Sequence, residues 1–335
     1  MDDENKINYF VLTEFGENGI TNPLGYRQHS YLTDLSVTLR HLPVNIRIGQ
    51  FKYPGSEEGW MAKFVSPFIQ FTTLSDQLML ERYISISSAQ NTTYLGEPAH
   101  SVGAYRDSGI ELFQQIDLDD ENSFSYAYMY GLGAGLQMKN VNDSHPTHYL
   151  YMAYEKLLGR IRGYNTESLK LFGWYQKGKR KLLDEMYDRT RYGVGLTYFD
   201  GLLRVEGEYM WGKGMIFSGA KDTNPLPSNE VWQYAIEADD NNKADGYYIA
   251  ATYNVTSHLE AIARYDEYCR MKNVSAKERI FKNTTIGFSY KFETMNRIDF
   301  NYTFADAYAP TNAVAQSILD NSGDIARVQL TWVYR

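Results

Sequence analysis

Apolar and polar residues alternate with a period of two over most of this chain, the period of a strand whose two faces meet different surroundings. The last third shows it most plainly. Tyr247, Ile249, Ala251, Tyr253 and Val255 stand against Tyr248, Ala250, Thr252 and Asn254. Leu259, Ala261, Ala263 and Tyr265 then oppose Glu260, Arg264 and Asp266, and Ile286, Phe288, Tyr290 and Phe292 oppose Thr285, Gly287, Ser289 and Lys291. Segments 298–304 and 326–334 repeat the design, as do 34–40 and 44–49 near the start. In the middle, 191–198 and 203–211 read as a hairpin about Asp200-Gly201, a two-residue turn of the primed type. Further strands are predicted near 7–15, 103–117, 123–131, 147–156 and 168–177, about fourteen in all, each near the ~9–11 residues of a tilted membrane strand.

The predicted connections alternate in length. Tight ones fall near 41–43, 200–201, 256–258 and 293–295, and long polar ones at 53–102, 213–245 and 306–323. Short turns are expected on the periplasmic side. Segment 53–102, with Pro54, Gly55, Pro67 and Pro98, is expected to fold into the lumen as the constriction, and stretches such as 68–74 admit short strands.

Composition narrows the surroundings. No run approaches the roughly 18 apolar residues of a membrane helix, so a bilayer would be crossed by strands. There are 29 Tyr, 16 Phe and 5 Trp, yet mean hydropathy is only -0.47 and 22% of residues are charged. That mixture suits a wall apolar outside and polar inside, ringed by aromatic girdles. A soluble antiparallel sandwich would alternate too, but the strand lengths and the aromatic residues at strand ends favour the membrane. The expected fold is all-β: one transmembrane antiparallel β-barrel over residues 1–335, with about 14–16 strands and an inward-folded long loop. No heptad, low-complexity tract or composition break divides the chain. Residues 1–6 lack the basic and apolar regions of a signal peptide, so the numbering reads as that of a mature or trimmed chain.

Other chemistry finds little support. A net charge of -8 with no basic face argues against a nucleic-acid partner. Cys269 stands alone, and no haem or zinc pattern occurs. The six histidines show no metal-binding spacing, and His145 and His148 flank Pro146 in a loop-to-strand region. No nucleophile motif is present, and Gly131, Gly133 and Gly135 end a strand without opening a helix, so neither an enzyme nor a cofactor is expected. Sequons at Asn254, Asn283 and Asn301 fall inside predicted strands, where they reflect Asn and Thr on the lumen face.

Several segments resemble one known family. Residues 42–54, LPVNIRIGQFKYP, followed by Glu57-Glu58, resemble the R-x-G-Q-F-K-x-P signature of the phosphate-selective porin O and P family. Leu80-Glu81-Arg82, Tyr105-Arg106-Asp107-Ser108-Gly109-Ile110 and the aromatic strand from Tyr126 to Gly135 agree with it. The resemblance covers roughly 30–135 and passes afterwards into general barrel patterning. It implies a passive outer-membrane channel, commonly trimeric, with sixteen strands. The sequence departs from that pattern in carrying less chain before Ile7, where a hairpin is either absent or trimmed, and in ending Trp332-Val333-Tyr334-Arg335 rather than on the terminal aromatic, as a chain short of its last residue would.

Charges lining the narrowest part of a wide pore set its selectivity. Alternation and the inward loop together nominate Arg40, Arg47, Lys52, Lys63, Arg82, Arg106, Arg191, Arg204, Glu206, Glu208, Arg264, Asp266 and Arg327 as pore-lining. With Lys170, Lys291, Asp34 and Asp299 also on predicted lumen faces and Glu57, Glu58, Asp76 and Glu81 on the loop, both signs are well represented, which favours a general or cation-tolerant pore over a phosphate-selective one. Arg47 and Lys52 have a plainer reading as cross-strand partners of carboxylates, and Arg106-Asp107 as a structural ion pair. The expected function is passive diffusion of small hydrophilic solutes or inorganic ions across a bacterial outer membrane. The expected partners are outer-membrane lipid, lipopolysaccharide and two further copies of the chain. The alternative is a sheath or scaffold for a partner such as an electron-transfer cytochrome, but about fourteen strands give an aqueous channel rather than a sleeve.

Overall fold

The computed structural model describes residues 6–15, 30–62, 64–81, 85–86, 103–136, 145–159, 166–182, 185–220, 234–292 and 296–334. The first third holds β1 (Ile7–Phe15), β2 (Ser30–Leu39), β3 (Asn45–Lys52), α1 (Glu57–Trp60), α2 (Thr73–Met79), β4 (Ser85–Ile86) and β5 (Arg106–Asp117). Then come β6 (Asn122–Gly131), β7 (Thr147–Leu157), β8 (Ser168–Leu182), β9 (Glu185–Phe199), β10 (Leu203–Lys213), β11 (Ile216–Ala220) and β12 (Tyr234–Glu237). The last third holds β13 (Lys243–Asn254), β14 (Leu259–Arg270), β15 (Arg279–Lys291), β16 (Arg297–Tyr308), α3 (Ala313–Leu319) and β17 (Ile325–Thr331).

Fourteen of these strands form one antiparallel meander from β1 to β17, each bonded to the next along the chain, with the two-residue β4 set parallel against β8 and β11–β12 forming a separate hairpin. This is the all-β transmembrane barrel that the alternation predicts. Laid flat, β7 and β16 would lie roughly 35 Å apart at ~4.8 Å per strand. Yet Glu57 reaches β7 through Tyr151, and Val65, just past the α1 turn, reaches β16 through Arg297. The wall is curled around the segment between β3 and β5.

The two faces follow the sequence pattern. In β9, Arg189, Arg191 and Gly193 are buried, while Tyr192, Val194 and Leu196 between them are exposed. β13 turns Tyr248 and Ala250 inward and Tyr247, Ile249 and Tyr253 outward. An outer surface of exposed Tyr, Ile, Val and Leu over a polar interior is what a lipid-embedded wall requires, with every backbone group paired inside the sheet. Composition varies around the barrel. On β2, β3 and β5 the outer side chains are aliphatic, among them Leu35, Ile48, Ile110 and Leu112, whereas from β6 to β15 tyrosine dominates.

One irregularity shapes the sheet beside the inward segment. The β1–β2 register shifts between Leu12 and Thr13, leaving the Leu32 and Thr33 carbonyls to accept from the fully buried Gln50 side chain at 2.9 and 3.1 Å. Next to Gln50, Gly49 adopts φ +136, and a Cβ there would stand 2.1 Å from the Leu35 carbonyl oxygen; only glycine fits.

The connections depart from the sequence reading. Segment 53–102 is not a plain loop, since it carries α1, α2 and β4. Residues beyond 72 form a helix rather than a strand, because the Thr72 hydroxyl caps the Ser75 amide at 3.1 Å and Leu74 and Leu78, four apart, bury one face. Segment 213–245 contains the β11–β12 hairpin, and 306–323 contains α3. β8 runs to Leu182, past the predicted end at 177, because Gly178 and Arg180 continue its buried face. The predicted turn at 293–295 lies outside the described residues. Among the described residues, no helix is long and apolar enough to cross a membrane.

Candidate functional site: the lumen and its inward segment

Residues 53–81 leave β3, cross the lumen and return toward β5 without joining the sheet, so each of their backbone groups needs a partner from the wall. The wall supplies them in sequence. At the start, the Lys52 ammonium donates to the carbonyls of Gly59, Trp60 and Met61 at 2.9, 3.3 and 2.9 Å. Three rotatable N–H donors on a compact cation suit a converging set of carbonyls at a helix end. The Ser56 hydroxyl donates to Glu208 at 2.8 Å, which also accepts from Trp174 at 2.5 Å and Tyr248 at 3.3 Å. Glu57 pairs with Lys170 at 2.9 Å and accepts from the Tyr151 hydroxyl.

Deeper in the lumen the anchors come from β14 to β16. Arg264 pairs with Glu58 at 3.1 Å, donates to the Gln70 carbonyl at 3.0 Å and lies over the Phe68 ring at 4.7 Å. Glu58 also accepts from the Thr72 amide and hydroxyl at 2.8 and 2.6 Å, closing a tie within the segment. Arg297, held by Asp299 at 2.9 Å, donates to the carbonyls of Val65 and Ser66. Asn301 meets the Ile69 amide and the Pro67 carbonyl at 3.0 and 3.1 Å, and Asp266 accepts from the Thr73 amide at 3.1 Å. Arg191 caps α2 through the Leu78 carbonyl at 3.1 Å.

The returning end is clasped by charge. Glu81 accepts from Arg180 at 2.5 and 3.2 Å and lies 3.3 Å from Arg189. Burial opposes ionisation of Glu81, but the Arg180 and Arg189 guanidiniums outweigh it and hold the carboxyl below its ordinary range.

The nominated residues therefore divide. Lys52, Arg191, Glu208, Arg264 and Asp266 hold the segment. Arg47 pairs across strands with Glu111 at 3.0 Å and lies over Phe51 and Phe113, as its plainer reading anticipates; Lys52 instead serves carbonyls. Arg106 and Asp107 do not pair with each other. Arg106 turns to Asp34 at 3.1 Å, while Asp107 accepts from the Gly133 and Ala134 amides and the Tyr149 hydroxyl, because adjacent strand residues point to opposite faces. Arg204 is half-buried over Phe199 at 4.3 Å, Glu206 is half-buried beside it, and Arg40 is exposed just past the end of β2. Arg327 lines a small polar cavity with Phe71, Thr73, Asn283 and Thr303 between the segment and the wall. Lys63 and Arg82 lie outside the described residues.

Arg180, Arg189, Arg297 and Asn301 escaped the sequence reading as anchors. The inward phase, carried four residues past Gln176 on β8 and two residues before Arg191 on β9, places Arg180 with Gln176 and Arg189 with Arg191, which is the signal that was there to be read.

A curled antiparallel wall with a long segment pinned across its lumen has solved counterparts. An anion-selective porin from Comamonas acidovorans aligns with a TM-score of 0.55 at 13% identity, over 92% of this chain and 76% of that one. OmpT of the Vibrio cholerae outer membrane gives 0.51 at 15%, over 83% and 71%. The fold is porin-like. At these identities the likeness speaks to fold alone. No family model and no curated protein matches the sequence.

Proposed function

We propose that the chain is a porin of the bacterial outer membrane, a passive channel for small hydrophilic solutes or ions. The observation that carries this reading is the pinned inward segment. A barrel wall needs no such element to be stable, whereas a segment across the lumen narrows it to a fixed aperture. A channel that admits solutes by size and charge requires that. The same observation weighs against the sheath alternative, because a segment held by at least eight wall residues leaves no sleeve for a folded protein.

Selectivity is weak in this reading. Most lumen-facing arginines are engaged by carboxylates or carbonyls. Among the described residues, Arg327 in the lumen and Arg40 at the rim lack a side-chain hydrogen bond or ion pair, and Glu206 faces the same space. Phosphate selectivity rests on the resemblance around residues 42–54 and would have to use Arg327. The aliphatic outer face of β2, β3 and β5 supports assembly with two further copies, which would leave the tyrosine-rich remainder to lipid.

Single-channel recording of the refolded chain in a planar bilayer tests the proposal. Stepwise conductance with a near-zero reversal potential in a salt gradient is expected, and a marked anion potential with phosphate block would move the reading to a phosphate channel. A folded barrel without conductance would overturn it.

A further inference from the structure

One strand breaks the rule that most of the wall obeys. β1 reads Tyr9-Phe10-Val11-Leu12, apolar on both faces, whereas a lipid-embedded wall needs apolar side chains on its outer face alone. Register fixes which residues face inward. Asn8, Phe10 and Leu12 stand opposite Thr38, Ser36 and Asp34 of β2, and directly opposite residues share a face. Thr38 accepts from Arg47 at 3.3 Å inside the barrel, so Phe10 and Leu12 face the lumen, where they are 51% and 36% exposed. The far end of the meander does the same, since Ile325 of β17, opposite Thr303, is inward and 40% exposed. Apolar residues at inward positions of the strands between, among them Met129, Trp174, Met210, Tyr248 and Ile262, are buried.

The inward segment passes in front of these strands. Lys52, the last residue of β3, holds the Met61 carbonyl, and Arg297 of β16 holds the Val65 carbonyl. Residues 61–65 therefore cross the arc of β2, β1 and β17, with Phe64 exposed on the crossing. The passage left there is edged by apolar side chains on both sides. Its cation is Arg327, two residues from Ile325 on the same face of β17 and about 7 Å away. Arg327 and Ile325 share a cavity of about 70 Å³ with Phe71, Thr303 and Asp266, room for roughly two waters at ~30 Å³ each. Among the described residues Arg327 has no side-chain hydrogen bond or ion pair, whereas Asp266 accepts from the Thr73 amide and from Asn283 at 3.1 and 3.0 Å.

We propose that this passage selects apolar-bodied monocarboxylates. Arg327 holds the carboxylate, and a body of about five carbons, matching the ~7 Å between alternate strand residues, lies over Ile325 toward Phe10 and Leu12. The proposal rests on the channel reading and narrows its solute. A guanidinium takes a carboxylate through two parallel N–H donors, and the cavity is of a size for such a head group. The Asp266 carboxylate in the same cavity repels a second negative charge, which disfavours a phosphate dianion. Apolar side chains open to the lumen favour a hydrocarbon body in transit, an attraction that a hydrophilic solute has no use for.

The test titrates the chloride current of the whole refolded chain in a planar bilayer with hexanoate, acetate, phosphate and hexylammonium. Calorimetry of hexanoate and acetate binding to the chain in lipid nanodiscs, against empty discs, runs beside it. Hexanoate should half-block the current at a roughly tenfold lower concentration than acetate, from half-burial of its four extra methylenes, while phosphate and hexylammonium should block no better than acetate. Phe10→Ser with Leu12→Ser, which gives β1 the polar inner face of β2, should abolish the tenfold difference between the two carboxylates. Ile325→Ser, at the opposite end of the meander, should reduce that difference without any change to β1. Arg327→Gln should weaken hexanoate and acetate alike by about tenfold or more. Equal block by the two carboxylates, a chain-length dependence that survives the serine variants, or block by hexylammonium as strong as by hexanoate would overturn the proposal. A barrel that binds hexanoate in discs with this pattern yet passes no current would overturn the channel reading alone, and a conducting barrel without the pattern would overturn this proposal alone.

Discussion

Replacing Glu81 with Gln keeps the shape of the side chain and removes the charge that clasps the returning end of the inward segment. Arg180 and Arg189 are each about 1% exposed, so neither gains water when its partner is neutralised. Arg180 keeps the Thr147 hydroxyl at 2.8 Å and the Lys179 carbonyl at 2.9 Å, which softens the loss. Arg189 keeps only Gln176 at 3.3 Å among the described residues. Removing one partner of a buried ion pair costs about 3–5 kcal/mol, and the retained bonds place the expected value near the lower end. The assay is urea unfolding of the vesicle-inserted barrel, paired with single-channel recording. Glu81→Gln should lower the unfolding free energy by about 3 kcal/mol and produce conductance fluctuations as the segment works loose. A double change of Glu81 to Leu and Arg180 to Met, which removes both charges together, should recover much of the loss. An unaltered midpoint with a quiet channel would refute the idea that this clasp fixes the segment.

Further outcomes follow from the same geometry. Arg264→Ala removes the contacts to Glu58, Gln70 and Phe68, so conductance should rise measurably and stability should fall by about 2–4 kcal/mol; Arg264→Lys should restore part of each. Arg327→Glu reverses an unpaired lumen charge, and the reversal potential in a salt gradient should move toward cation preference without loss of folding yield. Gly49→Ala places a methyl against the Leu35 carbonyl at an unfavourable φ, costing about 1–3 kcal/mol of strain or more, visible as reduced refolding yield. With pH, the Glu81 carboxyl ionises below its unfolded value, so its stabilisation is complete above the ordinary value of 4.5 and is lost only as pH falls through the lower folded value. Channel noise should therefore stay flat from pH 8 to 5 and rise only below about pH 4; noise that begins near neutrality would point to another group.

The wall was legible in the sequence because its signal is local. Alternation in 191–211 and 247–266 needs no knowledge of distant residues, and it puts Glu208, Arg264 and Asp266 on one face of their strands, the face from which they contact the inward segment. The path of 53–81 was not legible. Its anchors, Arg297 to the Val65 carbonyl or Asn301 to the Ile69 amide, join a side chain to backbone groups, which carry no residue signature. Phe68 to Leu74 admits a short strand because so short an apolar run does not separate the two periods, and the Thr72 cap starts a helix there instead. The place of Arg106 and Asp107 at a strand end suggests a structural ion pair, but their partners, Asp34 for one and the Gly133 amide for the other, lie far along the chain and leave no local signal.

The spacing of those anchors along the chain carries a consequence for the order of events in assembly. Arg297 and Val65 are 232 residues apart, and Arg264 and Glu58 are 206 apart, whereas adjacent strands meet through nearby turns. Contacts of such separation form late, since the intervening chain must be ordered first. The hairpins can therefore close one after another while residues 53–81 remain unseated, and the aperture takes its final width only when β16, the last strand but one, is in place. Protease protection of 53–81 should accordingly lag behind protection of the β9–β10 hairpin during insertion, and a truncation before β16 should leave a wall whose lumen was never set.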